Sequence, residues 1–238
     1  MGFGLSELGA ILTCYRNKKA TSFVVENFRK HFPDSPITLI SDGGDSYEDV
    51  ADNFSCSFFM DENLYGNSEN NYPALPYDSN RTLKWWERLR RTIDTNKTKY
   101  TMILEDDVYV RKNFDIPELH LSGVRVGNNF SERMHHDIMD ANPGEFCFRH
   151  YGMCGGSVFN NNTFDLIYDD VVLDIQKNHD TLINRSEGDY FLLGAVDANI
   201  TYHFGKRGFR YTVAPWLAEK REPGWQQFPV VHQWKDHY

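Results

Sequence analysis

The chain has 238 residues, 40% of them hydrophobic and 15% aromatic, which is enough for one large domain with a real core. A formal net charge of −9 argues against a general nucleic-acid-binding surface, so an anionic ligand has to be held by a local basic cluster or a metal. No apolar run reaches membrane-spanning length, and the four cysteines, Cys14, Cys56, Cys147 and Cys154, form no CxxC pair or zinc-like spacing.

The first residues, Met1 to Ser6, lack the basic start and apolar core of a signal peptide, so a reducing, cytoplasmic setting is expected. Leu8 to Tyr15 is an apolar run suited to a buried parallel strand. Thr21-Ser22 can cap a helix with Phe23, Val24, Phe28 and Phe32 at helical spacing, and residues 37–41 form a second strand that closes on Asp42. A short helix over residues 47–54 and a third strand over 56–60 follow. Residues 61–80 carry no period and read as a long loop of the kind that is usually functional or mobile. A strong helix over residues 81–95 then feeds a strand beginning at Tyr100. Strands alternating with helices predict an α/β fold with a mostly parallel sheet flanked by helices.

The strand from Tyr100 ends in three consecutive carboxylates, Glu105-Asp106-Asp107, and apolar character resumes at Val108. Such a strand delivers its acids to the mouth of the sheet, where ligands of α/β folds bind. Adjacent carboxylates repel and are costly to desolvate, so a hard divalent cation, Mg2+ or Mn2+, is their natural partner. The second half is less regular. A possible strand over residues 145–151 leads to a glycine-rich stretch, Gly152 to Phe159, where backbone can approach a ligand closely. A helix is expected over 163–175, another opening near Ser186 with Glu187 and Asp189 in its first turn, and a late strand over 209–213. With no repeat and no linker, one domain is expected, with residues 1–110 as a ligand-binding half and 111–238 as a second half.

The order of these parts resembles the GT-A glycosyltransferases, which use nucleotide sugars on a single Rossmann-like domain. The resemblance rests on the opening strand with the second strand ending at Asp42, on Ile103 to Val110 as a DxD-type element in Glu-Asp-Asp form, on Gly155-Gly156-Ser157-Val158-Phe159 and on Glu187-Gly188-Asp189-Tyr190. Small members of this kind occur among bacterial surface-polysaccharide enzymes and the glycosylation enzymes of large algal viruses. The resemblance implies a UDP-sugar donor and a glycan or glycoprotein acceptor, with no nucleic acid and no transmembrane segment.

It also implies roles. Asp107 is the expected direct metal ligand, Glu105 assists through water or the ribose, and Asp106 orients a basic side chain. His232 supplies a further ligand from near the C-terminus, with His203 as the fallback. Thr13, Tyr15 and Arg16 are expected at uracil or ribose, and Asp42 at the base or ribose. Arg81 and Lys84, one turn apart, can reach one diphosphate, although Arg88, Arg90 and Arg91 continue the helix as a solvated basic face. Gly155, Gly156 and Ser157 are acceptor-side residues, and Asp189, with Glu187 as substitute, is the base or orienting carboxylate for the acceptor hydroxyl. Two other classes compete. A sugar-1-phosphate nucleotidyltransferase would want a glycine in the loop Arg16-Asn17-Lys18-Lys19-Ala20. The other class is a non-catalytic carbohydrate- or calcium-binding module, whose EF-hand version would want spaced oxygen ligands and a central glycine.

Overall fold

The computed structural model describes residues 7–64, 79–123, 136, 139–140, 154–183, 196–220 and 222–233. Strand β1 (Leu8–Cys14) leads into helix α1 (Lys18–His31), β2 (Ile37–Asp42), α2 (Glu48–Phe54) and β3 (Ser57–Asp61). Helix α3 (Ser79–Asn96) precedes β4 (Tyr100–Leu104), β5 (Val108–Val110) and β6 (Leu121–Gly123). Then come β7 (Val158–Asn160), α4 (Asn161–Ile183), α5 (Val196–Lys206), β8 (Tyr211–Val213), β9 (Leu217–Glu219) and β10 (Val230–His232).

Seven of these strands form one sheet in the order β3-β2-β1-β4-β7-β6-β8. The pairings β3–β2, β2–β1, β1–β4 and β6–β8 are parallel, and only β7 runs against its neighbours. Period-two alternation along β1 divides the core. Leu8, Ala10, Leu12 and Cys14 face Val24, Val25 and Phe28 of α1, while Ile11 faces the opposite layer with Trp86 and Leu89 of α3 and Phe164 of α4. The expected α/β sandwich, a mostly parallel sheet covered on both faces, is therefore what forms. No helix among the described residues is long and apolar enough to cross a membrane.

Two local details differ from expectation, and a third has no counterpart in it. Helix α1 begins at Lys18 because the Asn17 side chain accepts from the Ala20 N–H at 3.0 Å, so the cap is Asn17 rather than Thr21-Ser22. Arg88 does not belong to a solvated basic face: it is 1% exposed and donates to Asp42 at 2.7 Å and Asp61 at 3.1 Å. The apolar stretch after the three acids does not continue β4 but starts β5 in a second, three-stranded sheet ordered β5-β10-β9. The possible strand over 145–151, the helix opening near Ser186 and most of the 61–80 loop lie outside the described residues.

Candidate active site

The acidic motif occupies the joint between the two sheets. Strand β4 pairs with β1 on one side and β7 on the other, so its C-terminal end emerges from the middle of the large sheet. A turn closed by the Val108 N–H donating to Glu105 C=O at 3.1 Å then redirects the chain into β5. There, β5 pairs antiparallel with β10, with Val108 opposite His232, and the Gln233 N–H donates to Asp107 C=O at 3.0 Å. The pairing carries His232 to the acids although the two segments are more than a hundred positions apart.

His232 Nε2 lies 3.3 Å from Asp107 Oδ1 and 3.5 Å from Glu105 Oε2. Glu105, Asp107 and His232 can each present one ligand atom within 4.8 Å of the others. Asp107 is 1% and His232 5% exposed, whereas the Glu105 side chain is 39% exposed, so the cluster has a sealed back and an open front. Burial opposes charging of His232 but is outweighed by Cys154, Asp107 and Glu105, which hold its pKa well above the usual value. Of these the carboxylates supply the attraction, because burial pushes the Cys154 thiol up to about 11 and leaves it neutral at physiological pH. Two carboxylates and an imidazole are a donor set that suits Mn2+ or Mg2+, with the imidazole favouring Mn2+ of the two. The residues therefore fit a divalent ion, which would replace the proton as the counter-charge of the acids.

The remaining expected residues fall around this cluster in different ways. Thr13 lies one residue before the end of β1 and is partly exposed, as is Tyr15, and the Arg16 guanidinium sits 4.9 Å over the Tyr15 ring with Arg16 at φ 51°. Arg81 and Lys84 are half-buried on α3, and Lys84 pairs with Glu62. Asp106 is half-buried within the turn. Asp42, expected at the base or ribose, has no exposed surface: its Oδ1 accepts from Arg88 and, at 2.9 Å, from the Leu64 N–H. It anchors the start of the loop after β3 and the buried Arg88. His203 is engaged elsewhere, 3.5 Å from Asp174 of α4 and edge-on to Trp86, so it is not the additional partner of the acids. Trp85 and Trp86 pack in the core, and Trp86 donates to Asn199 at 2.7 Å. Asp189 and Glu187 lie outside the described residues.

Protein, in this structure, is what approaches the glycines. Gly156 donates to Ile103 C=O at 2.7 Å and the Ile103 N–H donates to Ser157 C=O at 2.9 Å, which continues the β4–β7 ladder up to the acidic turn. A Cβ on Gly155 would meet Val108 Cγ2 at 2.3 Å and Glu105 Cβ at 3.1 Å. A Cβ on Gly156, whose φ is +92°, would meet Leu217 and Val230 of the small sheet at 2.6 and 2.9 Å. Ser157 is fully buried and its hydroxyl accepts from the Cys154 N–H at 3.0 Å. These three residues thus press against the acids and β10.

Two residues escape sequence reasoning. Glu219 and Cys154 form a second cluster with His232, again within 4.8 Å. Glu219 ends the three-residue strand β9, and strands that short carry no readable alternation.

The architecture is that of a single GT-A, Rossmann-like domain. Among solved structures, the galactosyltransferase LgtC in complex with donor and acceptor sugar analogues is similar to it at a TM-score of 0.52 and 14% identity, over 94% of this chain and 86% of that one. No family model matches the sequence, and no curated protein matches it.

Proposed function

We propose that this protein is a glycosyltransferase that moves a sugar from a nucleoside-diphosphate sugar, with a UDP-sugar favoured, onto a glycan or glycoprotein acceptor. The observation that carries this reading is the meeting of Glu105, Asp107 and His232 at the C-terminal edge of the central sheet of a GT-A fold. LgtC, a galactosyltransferase seen with donor and acceptor sugar analogues, supports the same class.

A divalent ion, Mn2+ or Mg2+, supplies Lewis-acid stabilisation of the leaving diphosphate when bound. Asp107 and His232 would hold it directly, and the more exposed Glu105 would assist directly or through water while remaining accessible to the ribose. Thr13, Tyr15 and Arg16 receive the nucleoside at the end of β1. Arg81 and Lys84 offer donors to the diphosphate from one turn of α3, where Lys84 exchanges Glu62 for phosphate. Asp42 acts indirectly by fixing Arg88 and the backbone of Leu64. Residues 1–110 serve the donor and 111–238 the acceptor, whose hydroxyl is deprotonated or oriented by Asp189, with Glu187 as substitute. Gly155, Gly156 and Ser157 bring the acceptor half against the cation ligands.

The test is incubation with a panel of UDP-sugars and Mn2+. Release of UDP, by slow donor hydrolysis or by transfer, supports the reading. Pyrophosphate-dependent formation of UTP identifies a nucleotidyltransferase instead, and sugar binding without turnover a non-catalytic module. Asp189→Asn is expected to keep donor binding and lose transfer; unchanged turnover removes Asp189 from the mechanism.

A further inference from the structure

The small sheet carries a buried acid that the transfer chemistry above leaves unused. Glu219 is 3% exposed and lies in register with His232 on β10, just as His232 lies in register with Val108 on β5. Laterally paired residues put their side chains on one face of a sheet. Val108, His232 and Glu219 therefore form one row, and Asp107 leads into it. Backbone bonds fix the row at both ends: Gln233 donates to Asp107, and the Lys220 N–H donates to His232 C=O at 3.0 Å.

The imidazole is approached from opposite sides. Nε2 faces Asp107 and Glu105, while Nδ1 lies 3.8 Å from Glu219 Oε1, within ion-pair range but a few tenths of an ångström beyond a hydrogen bond. An imidazole that gives one nitrogen to a cation as a neutral ligand carries its proton on the other, and the acceptor beside that proton fixes tautomer and ring orientation. Cys154 shares this cluster, but a neutral thiol is a weak acceptor and the carboxylate a strong one.

We propose that Glu219 is a positioning residue, which holds the proton of His232 on Nδ1 and turns Nε2 toward Glu105 and Asp107 so that the ring is preset as a cation ligand. This rests on the divalent-ion reading of the Glu105, Asp107 and His232 cluster. Glu219 touches neither donor nor acceptor in this role; it acts only through His232.

The test uses the full chain and Mn2+ alone, with free Mn2+ read by electron paramagnetic resonance. Glu219→Leu fills the same buried space without an acceptor, with its fold checked by circular dichroism because removing one partner of a buried charged set is destabilising. It is expected to weaken Mn2+ binding by about 10- to 100-fold. Glu219→Gln keeps a carbonyl oxygen facing Nδ1 and is expected to recover most of that loss, which a merely structural acid would not require. Cys154→Ala is expected to stay within about threefold of the wild type, well short of the loss that removing the ring's orienting partner causes. In the Mg2+-loaded wild-type protein, 15N spectra of labelled histidine should show His232 protonated at Nδ1; protonation at Nε2 overturns the proposal even if no Glu219 variant folds. Wild-type affinity in Glu219→Leu, or a loss in Cys154→Ala instead, also overturns it. If Asp107→Asn and His232→Gln bind Mn2+ like the wild type, the divalent-ion reading fails and takes this inference with it. If those two lose binding and Glu219→Leu does not, only the role of Glu219 fails.

Discussion

Asp107→Asn removes one charge and almost no volume, so it separates the proposed cation-binding role of Asp107 from its packing. In the metal-free protein, Asp107 and His232 at 3.3 Å attract with a gross energy of about 5 kcal/mol at an effective dielectric of about 20. Most of that attraction offsets the cost of keeping both groups out of water, so the net loss of stability in chelator is expected to be about 1–3 kcal/mol. Cation affinity should suffer more, by about 100-fold or more, since second-shell changes alone cost about 10- to 100-fold. Thermal unfolding reads both effects. With Mn2+ at about 100 times its wild-type Kd, binding adds about 2.7 kcal/mol, or about 5–10 °C in a chain of this size. At the same concentration the variant sits near its own Kd and gains only about 0.4 kcal/mol, or about 1 °C. A variant that is stabilised by Mn2+ as strongly as the wild type would show that Asp107 is not a ligand.

Further outcomes follow from other contacts. Arg88→Met leaves Asp42 buried beside a neutral chain and should cost about 3–5 kcal/mol, with Asp42→Leu in the same chain recovering much of it; an unchanged unfolding midpoint in urea for the single variant would contradict this. Gly155→Ala drives a methyl into Val108 and the Glu105 side chain, so it should cost about 1–3 kcal/mol and also weaken Mn2+ binding. Gly224→Ala is the control: its φ of +79° strains the backbone, yet the nearest atom to an added Cβ is 3.9 Å away, so Mn2+ affinity measured by calorimetry should not move. Burial would raise the pKa of Asp174, but hydrogen bonds from Lys206 and Asn178 and the charge of His203 outweigh it and hold the carboxyl below 3.8. Because its folded-state pKa is depressed, the stability it contributes is present above pH 3.8 and is lost as pH falls through the folded value. Asp174→Asn should therefore flatten the acid limb of unfolding free energy against pH, and an identical limb would exclude the contribution.

What was legible in the sequence was what local pattern records. The strand runs at Leu8, Ile37 and Tyr100 and the long helix before Tyr100 carry enough consecutive residues for period and polarity to be read, and a mostly parallel sheet follows from their alternation with helices. The joint at Glu105-Asp106-Asp107 was visible as chemistry, yet the apolar residues after it did not reveal that they leave one sheet for another. Strands β6, β7, β9 and β10 have three residues each, too few for alternation, and β6, β7 and β10 take partners far along the chain. Arg88 was misjudged for a related reason. Some of its helix neighbours are basic and exposed, and the acids that neutralise it, one buried and one partly exposed, come from the ends of β2 and β3.

The two sheets divide the work, and the division explains why the motif alone says little. The large sheet sets where the acids emerge, because β4 is held on both edges. It does not set what they face. That depends on β10, which docks the C-terminal segment onto β5 and brings His232 to Asp107, and on the glycines that let backbone lie against both. A carboxylate cluster of this kind is costly until its counter-charge is in place, so the acids gain little from β4 before β10 has paired. The loop that β10 closes is more than a hundred residues long, and its closure entropy is set mainly by length and not by sequence. Three acids after a strand therefore mark a position in the fold, whereas the proposed cation site depends on a pairing made by the C-terminal segment.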